Sequence, residues 1–484
     1  MTSSYIGIYD FSLLPYALGD VLTWNVQSAV AAKKAGRSRV DVHICLDPRY
    51  PASIYQRGLI NDHNCGLFFN ELFGAFSTHP MLGEITIHNE RERMMACLRA
   101  LGKDDALVAG ITDEYAHVLA NPSDEAALNA YFIRQIYSHE VLNDFAASAG
   151  GLPLLHASAG CLPDIEALRR TALAGRKIVV IHPRLRRLDH GYGGEHTFSR
   201  DSDLLEWMAF VQSAHAKHPE VQFVVVGRLQ EKPLALLEQP NVMSLRSLGL
   251  GLGHELTLLR GADLFIGTSS GFAAMANFCT TPYFITKMNP ESCKAYAIAN
   301  GAKALPFAQA NQELVYETET ASMLMGLLER GLAESPAASG QAPARSASLD
   351  PQDYEAARQQ YVAPNATTVR YFADATAIDA ESVYLLWPKM RAGFVKLAAG
   401  EATEAKQLGQ RIARYFPRLH ARSELVKRLA SGQVDQRFFP YASQRWKEFV
   451  LGLNANSLPS ILRHELVLIP ARLLKTAFVK RPTR

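Results

Sequence analysis

The chain has 484 residues, of which 48% are hydrophobic and 20% are charged, and its formal net charge is +3. This length predicts two to four domains, and this composition is ordinary for soluble globular proteins. The small net charge gives no indication of nucleic acid as a partner.

The sequence contains no segment that predicts passage across a membrane. It has no run of 18 apolar residues, and its N-terminus has no basic region before an apolar core. The six cysteines are scattered without a CxxC pair, which is typical of reduced thiols in protein cores. We therefore expect a cytoplasmic protein.

The first third of the chain alternates predicted strands, over 5–11, 40–46, 85–88 and 106–109, with predicted helices, over 21–35, 90–101 and 124–147. Gly19 and Asp20 precede the first helix, and Gly36 ends it. A strand, loop, helix and second strand form a βαβ unit. The pattern predicts one α/β domain over residues 1–165.

A second α/β domain is predicted over residues 166–330. Its predicted strands cover 177–181, 221–226, 242–245, 264–266 and 283–285, and its predicted helices cover 164–174, 203–217, 252–260 and 272–278. The predicted fold class is therefore α/β, with two Rossmann-like domains facing a cleft. The absence of a G-x-G-x-x-G sequence argues against a dinucleotide ligand.

The turn over 267–271 follows a buried strand and precedes a small-residue helix. Backbone N–H groups at such a turn favour an anion, above all a phosphate. Thr268, Ser269 and Ser270 add hydroxyl groups, and Gly271 allows close approach of the backbone. The alternative interpretation is an ordinary βαβ turn with Ser and Thr as helix caps.

The last third differs in composition from the two α/β domains. Residues 331–350 are rich in Ala, Ser and Pro and predict a linker, and residues 351–484 are helical in pattern. The segment 441–484 carries eight Lys or Arg against two Glu, interleaved with apolar residues. It fits contact with an anionic membrane surface and equally a helix packed on its own domain with a solvated basic face.

Two motifs carry a resemblance to a known family. The segment Leu18-Gly19-Asp20-Val21-Leu22 resembles the N-terminal loop and helix of the lipopolysaccharide heptosyltransferases, which are GT-B glycosyltransferases. The segment 265–271, followed by an Ala-rich helix and Thr281-Pro282, resembles their donor-phosphate loop, with Ser-Ser-Gly where the family has an acidic residue. The resemblance implies a nucleotide-diphosphate sugar as donor and a glycan or glycolipid acceptor.

Carried over to this chain, the resemblance makes Asp20 the catalytic base of an inverting transfer and places Gly19 at the donor. A carboxylate facing the cleft also suits the chemistry, since the acceptor hydroxyl loses its proton during attack. Asp10 is the alternative base. As a residue just before an apolar-periodic helix, Asp20 also fits a plain helix N-cap.

A second polar cluster begins with His182, Arg184 and Arg186, directly after a predicted buried strand. An arginine there can stabilise the charge that gathers on a diphosphate leaving group, and Arg184 lies nearest the strand. The stretch resembles the H-x-R segment of the GDP-fucose-dependent fucosyltransferases, which keeps fucosyl transfer open. The alternative is loop arginines that are solvated or paired with acids.

Further predictions follow from strand ends and spacings. Gly227, Arg228 and Glu231 follow a strand where such folds hold the base and ribose of the donor, and the segment 191–196 is a candidate flap. Histidines at 182, 190 and 196 match no metal-ligand spacing, so neither a metal nor another cofactor is expected.

Three functional hypotheses remain from the sequence. The first is a metal-independent, inverting glycosyltransferase, and the second is another enzyme on the same scaffold, such as a nucleotide-sugar epimerase or hydrolase. The third is a binding or scaffold protein that has lost the chemistry.

Overall fold

The computed structural model describes residues 4–334, with gaps at 54–55, 57–59, 63–64, 122–123, 137–138, 185–199, 228–231, 233 and 249, together with residues 401–415 and 431. The described residues fall into two compact units. The larger contains residues 4–184, 202–227 and 240–334, and the smaller contains 200–201, 232, 234–239, 401–415 and 431.

The first sheet has three parallel strands in the order β1-β2-β3, with bounds Tyr5–Asp10, Val40–Cys45 and Leu82–His88. Strands β1 and β2 are buried along nearly their whole length, which is why they appear in the sequence as apolar runs.

The second sheet has six parallel strands in the order β6-β5-β4-β7-β8-β9. The bounds, from β4 to β9, are Lys177–His182, Val221–Val225, Val242–Met243, Leu264–Thr268, Tyr283–Thr286 and Gln312–Leu314. Renumbered within the sheet, this is the 3-2-1-4-5-6 order of a Rossmann fold. The predicted α/β class with two Rossmann-like halves is confirmed.

Thirteen of the described α-helices precede residue 335, in the order α1 to α13: Leu18–Lys34, Cys65–Phe76, Arg91–Leu101, Ala106–Ala120, Glu125–Ile136, His139–Ala149, Leu162–Arg170, Leu204–Lys217, Leu234–Leu237, Leu252–Arg260, Gly271–Asn277, Pro290–Ala295 and Ala321–Glu334. The helix α14, Ala402–Tyr415, belongs to the smaller unit. Within the described ranges, no helix is long and apolar enough to cross a membrane.

The helix α1 lies inside the protein, since every residue from Val21 to Val30 is buried. Its Trp24 ring meets Tyr9 of β1 edge-on at 5.4 Å between centroids, and Tyr9 meets Phe76 of α2 at 5.2 Å. Such edge-to-face pairs contribute stability beyond that from the area that they bury, and they do so only in a particular ring geometry. The core therefore fixes α1, and with it Gly19 and Asp20.

Some local predictions are wrong. Residues 106–109, predicted as a strand, form the first turn of α4, because Asp105 caps the helix by accepting hydrogen bonds from the N–H groups of Leu107 and Val108. The single helix predicted over 124–147 is two helices, α5 and α6.

The remaining predictions for the last third lie largely outside the described residues. The linker over 331–350 is described only to residue 334, and the basic segment 441–484 lies wholly outside. The helix predicted from residue 401 to 415 is confirmed by α14.

Candidate functional site

The second sheet has a topological switch point between β4 and β7. From β4 the chain continues to β5 on one side, and from β7 it continues to β8 on the other. His182 at the end of β4 pairs in register with Gly267 of β7. In open α/β sheets, ligands bind in the crevice outside the carboxyl ends of the strands at this point.

A histidine and a serine are joined across this crevice. The Nδ1 atom of His182 lies 3.0 Å from the Oγ atom of Ser270, and the Ser270 Oγ also accepts a hydrogen bond from the N–H of Ala273. Because this oxygen already accepts a hydrogen bond, the Ser270 hydroxyl can donate its own hydrogen bond to Nδ1 of His182. The bond ties the end of β4 to the N-cap of α11.

The loop predicted to hold a phosphate is shorter than expected. Strand β7 extends to Thr268, and α11 begins at Gly271, so the turn consists of Ser269 and Ser270. Thr268 and Ser269 are buried, whereas Ser270 and Gly271 are partly exposed. The Thr268 hydroxyl has no hydrogen-bond partner among the described residues. Of the predicted loop residues, Ser270 and Gly271 are therefore the best placed to contact a ligand.

The helices α1 and α11 meet at their first turns through two glycines. A Cβ atom on Gly19 would lie 3.4 Å from the Cα of Gly271, and a Cβ atom on Gly271 would lie 2.8 Å from the Cβ of Leu18. Helix α11 follows the carboxyl end of β7 closely, and α1 follows the loop that leaves the carboxyl end of β1. The contact therefore brings the carboxyl edges of the two sheets together.

We expect the Gly271→Ala variant to be less stable by about 1–3 kcal/mol, because its methyl group would press on the backbone N of Gly19, 3.0 Å away. Gly110, inside α4, is a matched control, since a Cβ atom there meets nothing within 4 Å. Gly110→Ala is expected to raise the unfolding free energy by about 0.5–1 kcal/mol. Urea unfolding of both variants tests this, and equal stability of the two would contradict the close contact.

Asp20 lies in the first turn of α1, next to this contact. The helix begins at Leu18 and its N-cap is Ala17, so the interpretation of Asp20 as the N-cap is wrong. Asp20 is partly exposed as a residue, and its carboxyl group has no hydrogen bond or ion pair with any described residue. Burial raises the pKa of Asp20 to about 7.

Asp10, the alternative base, is occupied by structural bonds. Its carboxylate accepts hydrogen bonds from the Tyr115 hydroxyl at 2.5 Å and the Ser12 N–H at 2.8 Å, and it lies 3.4 Å from Nε of Arg91. The residue is 1% exposed. The geometry favours Asp20 as the group available for proton transfer.

The backbone of Arg184 is fixed by a buried carboxylate that the sequence analysis did not single out. The Arg184 N–H donates to Oγ of Ser202, and its carbonyl accepts from the Ser202 N–H. The Ser202 hydroxyl bonds Glu319, which also accepts from Nε1 of Trp207 at 3.0 Å and Oγ1 of Thr286 at 2.6 Å. Burial raises the pKa of Glu319 despite these bonds. Arg184 is therefore held just past the end of β4.

Gly227 is fixed by a second buried carboxylate. Its φ of +111° favours glycine, and its N–H donates to Oε1 of Glu255 at 3.1 Å. Glu255, on α10, also binds Nε of Arg246 at 3.0 Å, and Nη1 of Arg246 lies 3.3 Å from Glu71 of α2. Burial raises the pKa of Glu255. The end of β5, which is predicted to hold the donor nucleoside, is thus held in place by a network of buried ion pairs.

Several predicted site residues lie outside the described part of the chain. These are Arg186, Arg228, Glu231 and the candidate flap 191–196. In the described ranges, no group of three or more metal-ligating side chains comes together. The structure thus brings together Gly19, Asp20, Ser270, Gly271 and His182, with Arg184 and Gly227 at neighbouring strand ends.

No protein-family model and no curated protein sequence matches the chain. Among solved structures, it is similar to the ADP-heptose lipopolysaccharide heptosyltransferase II of Escherichia coli, with 13% identity, a TM-score of 0.41, and coverage of 69% of this chain and 100% of that one. It is also similar to a family 9 glycosyl transferase from Veillonella parvula, with 14% identity, a TM-score of 0.37, and coverage of 69% and 99%.

A third similar structure is an Escherichia coli heptosyltransferase with ADP, at 11% identity and a TM-score of 0.36, covering 67% of this chain and 99% of that one. The resemblance to heptosyltransferases stated from the motifs recurs in these comparisons.

Proposed function

We propose that the chain is a metal-independent, inverting glycosyltransferase that moves a sugar from a nucleoside-diphosphate donor to a glycan or glycolipid acceptor. The observation that carries the proposal is Asp20, a carboxyl group without a bonding partner among the described residues, at the point where the edges of the two sheets meet. A pKa near 7 suits a general base at neutral pH.

In the proposed reaction, the acceptor hydroxyl oxygen attacks the anomeric carbon of the donor sugar. The bond from that carbon to the diphosphate oxygen breaks, and its electron pair stays on the diphosphate. The acceptor proton passes to the Asp20 carboxylate. Attack opposite the leaving group inverts the anomeric configuration, and no metal is needed for these steps.

The donor diphosphate is proposed to lie at the switch point of the second sheet. The backbone of Ser270 and Gly271 and the side chain of Arg184 would offset its growing negative charge. Gly227 would face the nucleoside. Arg186, Arg228 and Glu231 stay predictions for the same donor.

A thermal-shift screen with ADP, GDP, UDP, CMP and dTDP tests the donor site. A ligand present at about one hundred times its dissociation constant stabilises the folded protein by roughly 2.7 kcal/mol. We expect one nucleotide to raise the melting temperature and Gly271→Ala to reduce that rise more than Gly110→Ala does. A response to GDP would favour fucosyl- or mannosyl-like transfer, and a response to ADP would favour heptosyl-like transfer.

The same screen also separates an enzyme from a scaffold. If none of the five nucleotides shifts the melting temperature, the donor site is refuted, and a non-catalytic binding or scaffold protein becomes the better interpretation.

A further inference from the structure

A cavity of about 810 Å³ lies at the carboxyl edge of the first sheet, within the size range of small-molecule sites. Its walls come from the loops after β1 and β2, the start of α3, and the helices α4 and α5. The helices α4 and α5 contribute an apolar side with Val118, Leu119, Leu128 and Phe132, and Arg49, Tyr50, Asp62 and Arg91 also line the cavity.

The charge of Arg49 is already neutralised within the protein. Its Nε and Nη2 atoms bind the two carboxylate oxygens of Asp47 at 3.0 and 2.6 Å, and Nη2 also binds Glu92. These bonds, with that from the N–H of Arg91, outweigh burial and hold the pKa of Asp47 below its usual range. Asp47 and Glu92 are therefore charged at neutral pH, and an anionic ligand in the cavity would lie close to these two carboxylates.

Arg91 is likewise engaged. Its Nε lies 3.4 Å from the buried Asp10 carboxylate, Nη2 donates to Oγ of Ser12, and the guanidinium lies 4.0 Å from the Tyr50 ring centroid. Its side chain is 16% exposed. Among the described residues, the two guanidinium groups of the cavity thus face three carboxylates, and Asp62 adds a fourth carboxylate to the cavity wall, so no excess positive charge is left for an anion.

Tyr50 and the apolar side offer a different kind of contact. Tyr50 is 45% exposed and lines the cavity, although large aromatic rings are usually more buried. Arg91 covers one face of the ring, 4.0 Å from its centroid, and the exposed remainder of the ring can attract the positively polarised C–H groups on one face of a sugar ring. The wall formed by α4 and α5 suits an alkyl or other apolar group.

The cavity is coupled to the loop that positions Asp20. Ser12 and Leu13, which line it, start the connection from β1 to α1. The Tyr16 hydroxyl donates to the carbonyl of Pro51 at 3.0 Å, which joins this connection to a cavity-lining residue of the next loop. A ligand in the cavity would therefore lie at the same sheet edge as the proposed base.

From this arrangement we propose that the cavity binds the acceptor, and that the acceptor is an uncharged glycoside with an apolar aglycone. This inference rests on the proposed function, since it assigns the substrate that Asp20 would deprotonate. The sugar packs on Tyr50, and the aglycone packs on the apolar side formed by α4 and α5.

Titration calorimetry on the full-length protein without nucleotide tests the charge and the aglycone separately. The probes are octyl β-glucoside below its micelle concentration, methyl β-glucoside and octyl β-glucuronide at pH 7. We expect octyl glucoside to bind at least about tenfold more tightly than either of the others, since one lacks the alkyl chain and the other adds a like charge beside the carboxylates.

Two variants and a control identify the cavity as the binding site. Tyr50→Ala is expected to weaken octyl glucoside binding about tenfold. Leu101→Ala, which removes another side chain that is 45% exposed, should leave binding unchanged. Glu92→Gln, at a carboxylate that is 66% exposed, should tighten glucuronide binding without changing glucoside binding.

The proposal is overturned if the glucuronide binds the wild-type protein as tightly as the glucoside, or if Tyr50→Ala binds like Leu101→Ala. It is also overturned if a nucleoside diphosphate competes with octyl glucoside, because the cavity would then be a donor site. Binding is measured without a donor, so a negative result here leaves the nucleotide screen unaffected, and the reverse also holds.

Discussion

Replacing Asp20 with asparagine is expected to lower glycosyl transfer by about 10²- to 10⁴-fold, the usual contribution of a positioned general base. Asparagine keeps the shape of the side chain but cannot accept the acceptor proton. For the wild-type protein, kcat/KM is expected to rise with pH through about 7, where the Asp20 carboxyl group loses its proton. The Asn variant should retain a low, pH-independent rate over the same range.

The same substitution is expected to stabilise the protein. The pKa of Asp20 is raised in the folded state from 3.8 to about 7, so the folded protein holds a proton that the unfolded chain has lost. Stability contributed by this group is therefore full below about pH 4 and is lost as the pH rises towards 7. Because Asp20 is partly exposed as a residue, we expect the Asn variant to gain about 2 kcal/mol at pH 8 and almost nothing at pH 4.

Glu125, in the exposed first turn of α5, gives a matched control. Glu125→Gln should change neither the transfer rate nor the pH dependence of unfolding. An active Asn variant would remove Asp20 from the chemistry. If the Asn variant is inactive but is not more stable than the wild-type protein at pH 8, the raised pKa is not the reason for the reactivity of Asp20.

The strands of the second sheet could be predicted from the sequence because they are buried on both faces. Fully buried parallel strands appear as short, continuous apolar runs, as at 177–181 and 221–226. The same rule failed at 106–109, since a run of four apolar residues fits a helix equally well. Asp105, immediately before that run, was the local signal for a helix.

The position of Asp20 within its helix depends on contacts that no local pattern contains. Helix α1 begins at Leu18, three residues before its periodic apolar face. The preceding loop is held by the Tyr9 hydroxyl, which donates to the Pro15 carbonyl at 2.6 Å. This buried bond forms only once the loop has folded back onto β1, so the sequence alone left the cap and the base as alternatives.

Two buried carboxylates of the site region were missed for different reasons. Glu255 stands among Leu252, Leu256 and Leu259 on the apolar face of α10, so helical periodicity could have indicated it. Glu319 follows β9 and binds Trp207, more than one hundred positions earlier, and no local signal announces such a contact. The cavity beside Tyr50 likewise depends on segments that only the folded chain brings together.

Replacing Arg246 with methionine is expected to destabilise the protein by about 3–5 kcal/mol, because Glu255 would be left as a buried charge without its counter-ion. Glu255 is 0% exposed, and the Arg246 side chain is 14% exposed. The two carboxylates, Glu255 and Glu71, outweigh the effect of burial and raise the pKa of Arg246, so its charge is present throughout the accessible pH range. Urea unfolding at pH 8 measures the loss.

The pH dependence of that loss has a definite sign. Burial already raises the pKa of Glu255, and removing Arg246 raises it further. The variant should therefore lose least stability near pH 4, where Glu255 is protonated in both states, and more as the pH rises. An exposed pair gives the control: Arg170→Met, which breaks the contact with Glu166 at 3.9 Å, should cost less than about 0.5 kcal/mol at any pH.

A double variant separates the lost charge from the lost packing. Glu255→Gln in the Arg246→Met background removes the unpaired charge and keeps an oxygen that can accept from the Gly227 N–H. We expect it to recover at least about half of the lost stability, which would mean a strong coupling between the two sites. If it recovers none, Arg246 acts through packing against α2 and α10. The charge network would then not be what fixes Gly227 at the proposed donor site.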